Sequence, residues 1–397
     1  MLKFRLKSIE GLALIKRPTL LCCTTFWLSG CFYELPTARH LKTIDISNEP
    51  QVAKLTAIAD SIFYIPLETK ENKLIGGVNK IVLQDDKIYV FDRSTTISAS
   101  CYNLQGKLLF YINNLGLGPG EFMHPEDMLV VPDGGVLLYD LGKRSLIHFG
   151  SEGQYIDERN WNIYADQLCR LGESNFLVYA PDNNQIEGLD HSYIFLKVSD
   201  NKVNSRLKWL KYQEGLDEFY EPGVMNLFND TVSLVHGFGN IIYYYANNTF
   251  GNRFEVNFGD KEVPHDLLSQ GIERAEEEFL ANNYASMLHQ INETKEHLTF
   301  NYHLGNKTCW VVYAKNSGRV LNLHKVVNDF DGGGFAFPLT TYKDFFLGYL
   351  YPYEFRSVIK TTNSDTFMPG YRQRLINMLD TINDYDNPIL FGFRLRL

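Results

Sequence analysis

Three observations predict an all-β fold for this chain, arranged as a six-bladed β-propeller with short helical insertions. Aromatic residues make up 14% of it, with 24 Tyr and 27 Phe, and such rings fit the pleated, half-buried surface of a sheet. Short apolar runs are cut by turn pairs such as Asp85-Asp86, Gln105-Gly106 and Asn247-Asn248, which reads as a succession of hairpins. The pattern then recurs: Ile88-Tyr89-Val90-Phe91-Asp92 superposes on Val136-Leu137-Leu138-Tyr139-Asp140 at an offset of 48 residues, and Gly106 on Gly153 at 47. A period of this length, with four strands per unit, belongs to propeller blades. A lone four-stranded meander leaves both faces uncovered, so each unit must pack between neighbours, and a closed ring leaves only short, protected edges.

In chain order, residues 1–30 have the layout of a secretory signal. Lys3, Arg5, Lys7, Lys16 and Arg17 precede an apolar run from Leu20 to Leu28, which ends at Ser29-Gly30-Cys31. The run is too short to span a bilayer, and small residues mark the cleavage point. Leu28-Ser29-Gly30-Cys31 also resembles the lipobox of bacterial lipoproteins. That resemblance implies a lipoprotein signal peptide, an acylated Cys31 as the first mature residue, and a membrane partner reached through the lipid. Several acyl chains on one residue anchor a protein stably, at about 0.8 kcal/mol per buried CH₂. Residues 31–50 are expected to be a tether and 51–397 the propeller.

Loss of residues 1–30 removes five basic residues and one acid, which moves the net charge from -9 to near -13. That sign excludes a protein that works by neutralising phosphates, so nucleic acid is not expected as a partner. Of six cysteines, Cys22 and Cys23 leave with the peptide and Cys31 takes lipid, leaving Cys101, Cys169 and Cys309. An odd number of distant cysteines is neither a disulfide framework nor a zinc site, so they are read as small buried strand residues.

The first blade is expected from Lys80–Gln84, Lys87–Asp92, Ala99–Asn103 and Lys107–Ile112, and the second from Met128–Val131, Val136–Asp140, Ser145–Phe149 and Gln154–Ile156. Asp166–Leu171, Asn175–Ala180, Ser192–Ser199 and Val203–Leu210 make a third. Gly223–Phe228, Thr231–Phe238, Ile241–Ala246 and Arg253–Phe258 make a fourth. A fifth holds His297–Leu304, Lys307–Lys315 and Arg319–Val326, and a sixth begins with Phe335–Tyr342 and Phe345–Tyr351. Pro264–Asn283 and Tyr371–Asn383 carry apolar residues at helical spacing. A final strand, Pro388–Leu397, and an early one, Ile62–Leu67, are placed to complete one blade from the two chain ends.

The stretch from Ile65 to Ile156 resembles exported six-bladed β-propeller proteins of the bacterial envelope, related to NHL-repeat propellers and often lipoproteins. The likeness rests on Pro66-Leu67-Glu68-Thr69, on Ile88-Tyr89-Val90-Phe91-Asp92, on Gly116-Leu117-Gly118-Pro119-Gly120-Glu121-Phe122 and on Asp386-Asn387-Pro388-Ile389-Leu390. It implies the fold and an envelope location, facing the periplasm or the surface. It implies no chemistry, because the matching residues are structural and the fold hosts many functions.

Candidate chemistry is sparse. Gly116–Glu121 lacks the Lys-Ser/Thr of a phosphate loop and reads as a crossover between blades. Asp329-Phe330-Asp331 precedes three glycines, yet Gly333 and Thr340 stand where a calcium loop needs ligands, so a turn is the better account. The ten histidines show no metal-ligand spacing, and no nucleophile elbow occurs. Propeller geometry supplies one positional argument: loops entering each inner strand gather at one mouth of the central channel. His124, Glu126, Asp127, Asp166, Glu221, Asp329 and Asp331 are therefore expected to face a common funnel, an acidic pocket for a sugar, a peptide or a cation. The expected function is a lipid-anchored envelope module that binds a glycan, peptide or protein. The alternative is an NHL-like lyase or hydrolase with a divalent cation in the channel.

Overall fold

In the computed structural model, the residues described are 41–180, 191–199, 202–211, 223–237, 239–264, 267, 277–279, 281–361, 367–368 and 370–397. They form six sheets whose strands run in order from an inner to an outer position, a six-bladed β-propeller. Blade 1 comprises Lys80–Gln84, Lys87–Asp92, Ser98–Asn103 and Leu108–Ile112. Blade 2 comprises Pro125–Val130, Val136–Asp140, Ser145–Phe149 and Tyr155–Asn160. Blade 3 has Gln167–Arg170, Asn175–Tyr179, His191–Ser199 and Lys202–Lys211. Blade 4 has Met225–Phe228, Thr231–Leu234, Ile241–Ala246 and Thr249–Asn257. Blade 5 has Ala285–Glu293, His297–Leu304, Lys307–Ala314 and Val320–Val327. Blade 6 has Thr340–Tyr342, Phe345–Leu350 and Ile389–Leu395, with Ala59–Pro66 as its outer strand.

Local chemistry explains the hairpins. Asp85-Asp86, Asn229-Asp230 and Asn247-Asn248 all have positive φ at both residues, the left-handed pair that a two-residue turn between twisted strands requires and that Asn and Asp tolerate best. Packing explains the ring. Tyr89, Phe91, Cys101 and Phe110 of blade 1 bury one face against Met128, Leu138, Ile147 and Phe149 of blade 2. Burying each such side chain contributes about 1.5–3 kcal/mol, which an isolated blade would forgo on both faces.

The chain ends close the ring. Ile389–Leu395 pairs antiparallel with Ala59–Pro66, from Ile389 opposite Pro66 to Leu395 opposite Ala59. Two further strands run around the rim before that closure. Lys42–Asp45 adds in parallel to the outer strand of blade 4, and Gln51–Lys54 adds likewise to blade 5. The second half of the span expected as a tether, 31–50, is therefore sheet from Lys42 to Asp45, held by its ladder and by Ile44 and Ile46 in the core. Its outline is faint in sequence because four residues offer a single apolar alternation.

Other differences have physical causes. The inner strand of blade 5, Ala285–Glu293, escapes a period-two reading because Met287 and Gln290 have positive φ and break its register twice. The expected strand from Phe335 shortens to Thr340–Tyr342, since Phe335 and Phe337 pack against Trp310 instead. A helix at Pro352–Thr361, absent from the sequence reading, buries Phe355, and the expected helix at Tyr371 ends at Leu379. Most of Pro264–Asn283 lies outside the described residues, as do residues 1–40 with Cys31; 277–279 and 281–282 are helical. Cys101, Cys169 and Cys309 are free and buried. Among the described residues no helix is long and apolar enough to cross a membrane.

Candidate functional site

The six inner strands enclose a central cavity of about 470 Å³ whose lining includes residues from every blade. Hydrogen bonds from one inner strand to the next form a belt around it. Lys80 Nζ donates to Asp127 Oδ1 at 2.7 Å, and Asp127 Oδ2 accepts from the Leu168 backbone at 2.8 Å. Gln167 Oε1 accepts from Val224 N at 3.0 Å, and Ile291 N donates to the Gly223 carbonyl at 2.9 Å. Gln290 Nε2 donates to the Leu339 carbonyl at 2.6 Å, and Asn292 Nδ2 to that of Pro338 at 3.2 Å. Polar groups of the inner strands are thus spent on holding the blades in register, as buried polar groups must be paired.

The charge of the wall follows from these pairings. Asp127 is neutralised by Lys80, and Glu126 accepts from Arg93 at 2.7 Å. Arg170, the last residue of the inner strand of blade 3, lines the cavity without such a partner among the described residues. Beside it burial pushes the Cys169 thiol up to about 12, so it stays neutral. Among the described residues the wall is therefore mixed in sign with one surplus cation, and of the acids expected at the funnel from loop geometry, Asp127 and Glu126 are paired with Lys80 and Arg93.

The residues expected at the funnel separate into groups. Glu126 and Asp127 stand in the channel wall. His124 is exposed, and its backbone N–H donates to Asp140 Oδ2 at 2.8 Å. Asp166 is buried just before the inner strand of blade 3, and its N–H donates to the Tyr179 carbonyl. Asp329 accepts from the Thr56 hydroxyl and backbone at 2.6 and 2.9 Å, which ties the turn after blade 5 to the N-terminal segment. Asp331 is fully buried and accepts from Tyr64, Asn328 and the Gly333 backbone. Burial pushes its carboxyl above the ordinary range against those hydrogen bonds. These two carboxylates are committed to protein donors in the turn that follows blade 5. Glu221 lies outside the described residues. Among the described residues no three His, Cys, Asp or Glu side chains converge as a metal site. Lys80, Arg93, Arg170 and Asn226 also line the cavity and were not singled out in the sequence; Lys80, Arg170 and Asn226 lie at or next to the end of an inner strand, and Arg93 directly follows the second strand of blade 1.

No curated protein matches the chain. A solved structure of a protein from Bacteroides fragilis NCTC 9343 named as exported is 17% identical, covers 90% of this chain and 100% of its own, and superposes with a TM-score of 0.73. That likeness extends to the fold. A member of the DUF4221 family from Bacteroides vulgatus is 7% identical over 85% of this chain and 97% of its own, with a TM-score of 0.47. Virginiamycin B lyase from Staphylococcus aureus is 15% identical over 66% of this chain and 73% of its own, with a TM-score of 0.37. The family model described as "Domain of unknown function (DUF4934)" matches residues 41–394, and the chain belongs to that family.

Proposed function

We propose that this propeller is an exported, lipid-anchored binding module of the bacterial envelope whose ligand sits in the central channel. The observation that carries the reading is the cavity itself: about 470 Å³, bounded by six inner strands and lined by both apolar and polar side chains. Cavities of this size, with few convergent polar groups, hold small molecules. Glu126 and Asp127, paired with Arg93 and Lys80, would form the belt against which the ligand rests.

The anchor is supported by Leu28-Ser29-Gly30-Cys31 and the basic, apolar stretch before it. Kinship with NHL-repeat propellers is supported by the crossover Gly116–Phe122, which lies between the outer strand of blade 1 and the inner strand of blade 2.

Two experiments test the reading. Cys31→Ala should move the protein from the membrane fraction to the soluble one, and unchanged retention defeats the anchor. A glycan and peptide screen by thermal shift on the full chain should yield a ligand whose binding Thr340→Trp blocks, since Thr340 lines the channel. A ligand that binds the filled variant with unaltered affinity would move the site elsewhere.

A further inference from the structure

The outward face of the ladder at the rim of blade 5 is both basic and apolar, and from it we infer a second contact with the membrane: this edge of the ring lies against an anionic phospholipid leaflet. The inference rests on Cys31 being the anchor and deepens that reading. Gln51–Lys54 adds in parallel to Val320–Val327, with Val52 opposite Lys325, Ala53 opposite Val326 and Lys54 opposite Val327. Side chains alternate along each strand, so Ala53 and Val326 turn into the core while Val52, Lys54, Lys325 and Val327 share the outward face. All four are exposed, Val52 at 55% and Val327 at 39%.

Charge selects the occupant. Neither lysine forms an ion pair among the described residues, whereas the acids nearest these strands in sequence are engaged: Glu49 with Lys261 at 2.7 Å, Asp60 with Arg394 at 2.9 Å and Asp329 with the Thr56 hydroxyl at 2.6 Å. On a chain of net charge -9, a face with two cations and no carboxylate of its own suits phosphate headgroups, and each lysine close to such a surface shifts the equilibrium about fivefold. Beside it opens a cleft of about 510 Å³ whose lining includes Lys325, Val327, Phe335, Phe337 and Val358. Binding to a leaflet scales with apolar area and with attraction to anionic lipid, and this edge offers both. The length of the leader agrees. Lys42 follows Cys31 by 11 positions, at most about 40 Å of extended chain, and Lys42–Asp45 lies on the rim of blade 4, next in the ring to blade 5.

The test is acetylation of lysines by a water-soluble reagent, read site by site by mass spectrometry. The full chain, purified from membranes, is compared in a non-ionic detergent, in phosphatidylcholine vesicles and in vesicles that also contain phosphatidylglycerol. Lys54 and Lys325 are expected to react about fivefold more slowly in the phosphatidylglycerol vesicles than in detergent, while Lys107 and Lys202, exposed at blades 1 and 3, keep one rate throughout. Lys54→Glu should restore the detergent rate at Lys325 without moving the thermal midpoint, because the side chain faces solvent, and Val52→Ser should weaken the protection. Equal protection in phosphatidylcholine alone would overturn the assignment to anionic lipid. Equal rates in vesicles and detergent would overturn the contact itself, and the anchor would stand as long as the chain sediments with the vesicles. A chain that leaves the vesicles would remove both readings.

Discussion

Asp92 and Asp140 occupy equivalent places at the ends of the second strands of blades 1 and 2, and each carboxylate fastens the loop entering its blade to the turn that follows it. Asp92 accepts from Gly76 and Gly77 N–H on one side and from Ser94, Thr95 and Thr96 N–H on the other. Asp140 accepts from Met123 and His124 N–H at 2.6 and 2.8 Å, and from Lys143 N–H at 2.6 Å. Both are buried, at 1% and 0% exposure, so the bonds are shielded from competing water. The repeat visible in the sequence is thus a repeat of function within the scaffold: in blades 1 and 2 one carboxylate each holds the loops at the mouth.

Removing either carboxylate should therefore destabilise the ring, and Asp92→Ala more than Asp140→Ala, because it leaves more N–H groups without an acceptor. Hydrogen bonds to a charged group are worth about 1.5–3 kcal/mol, so about 3 kcal/mol is expected for Asp92→Ala in urea unfolding. Burial opposes the charge of Asp92, but the backbone N–H groups of Thr95, Thr96 and Gly77 outweigh it and hold the carboxyl below its ordinary range. Its contribution is full above the unfolded value near 3.8 and is lost as pH falls through the lower folded value. The gap between wild type and Asp92→Ala should narrow only in that acid window, and a gap that closes near neutral pH would refute the assignment.

What was legible in the sequence follows from range. Lys80–Gln84, Lys87–Asp92, Val136–Asp140 and Ser145–Phe149 fall where their alternation and turns put them, because both signals lie within a few residues. Ala285–Glu293 was hidden because left-handed residues inside it scramble that local signal. The site was less legible still. Lys80 meets Asp127 across 47 residues and Arg93 meets Glu126 across 33, so the sequence displays acids at the mouth but not the cations that cancel them. Among the described residues Arg170 stands out only once every other charge in the wall has found its partner.

A buried ion cluster joins blades 4 and 5. Glu293 accepts from Arg253 through two bonds of 2.7 Å and from Ser233 at 2.9 Å, and it pairs with Lys315 at 2.6 Å. Burial disfavours its charge, yet hydrogen bonds from Arg253 and Lys315 prevail and keep the carboxyl below the usual range. Glu293→Gln would leave two cations facing each other, and breaking a buried pair costs about 3–5 kcal/mol. The stabilisation is complete above the unfolded value near 4.5 and fades as pH drops through the folded one. Chemical denaturation at pH 7 measures the loss; a cost below about 1 kcal/mol would mean the cluster is solvated and of surface type.

Asn387 seals the ring where the two ends of the chain meet. Its Oδ1 accepts from Ile75 N–H at 2.8 Å, its Nδ2 donates to the Glu68 and Lys73 carbonyls at 3.0 and 3.2 Å, and its own N–H donates to Thr69 at 2.8 Å. The two motifs around Glu68 and Asn387, far apart in sequence, are halves of one clasp. Asn387→Ala should cost about 2–3 kcal/mol, because several buried backbone groups lose their partner. Hydrogen exchange should quicken in Ala59–Pro66 and Ile389–Leu395 ahead of blade 2. Uniform quickening across all blades would show that the clasp opens only with the whole ring.

Gly106 and Gly318 separate conformational from steric cost at otherwise similar turns, with φ of 78° and 72°. A Cβ on Gly318 meets nothing within 4 Å, whereas one on Gly106 would lie 2.0 Å from the Pro66 carbonyl oxygen in the closing strand. Gly318→Ala should thus cost only the left-handed penalty of about 1–2 kcal/mol. Gly106→Ala carries the same penalty and must also displace the outer strand of blade 6, so at least double that loss is expected. Thermal midpoints of the two variants compare them directly. Equal midpoints would mean that the contact between Gly106 and Pro66 gives way freely and that the closing strand is held by its ladder with Ile389–Leu395 alone.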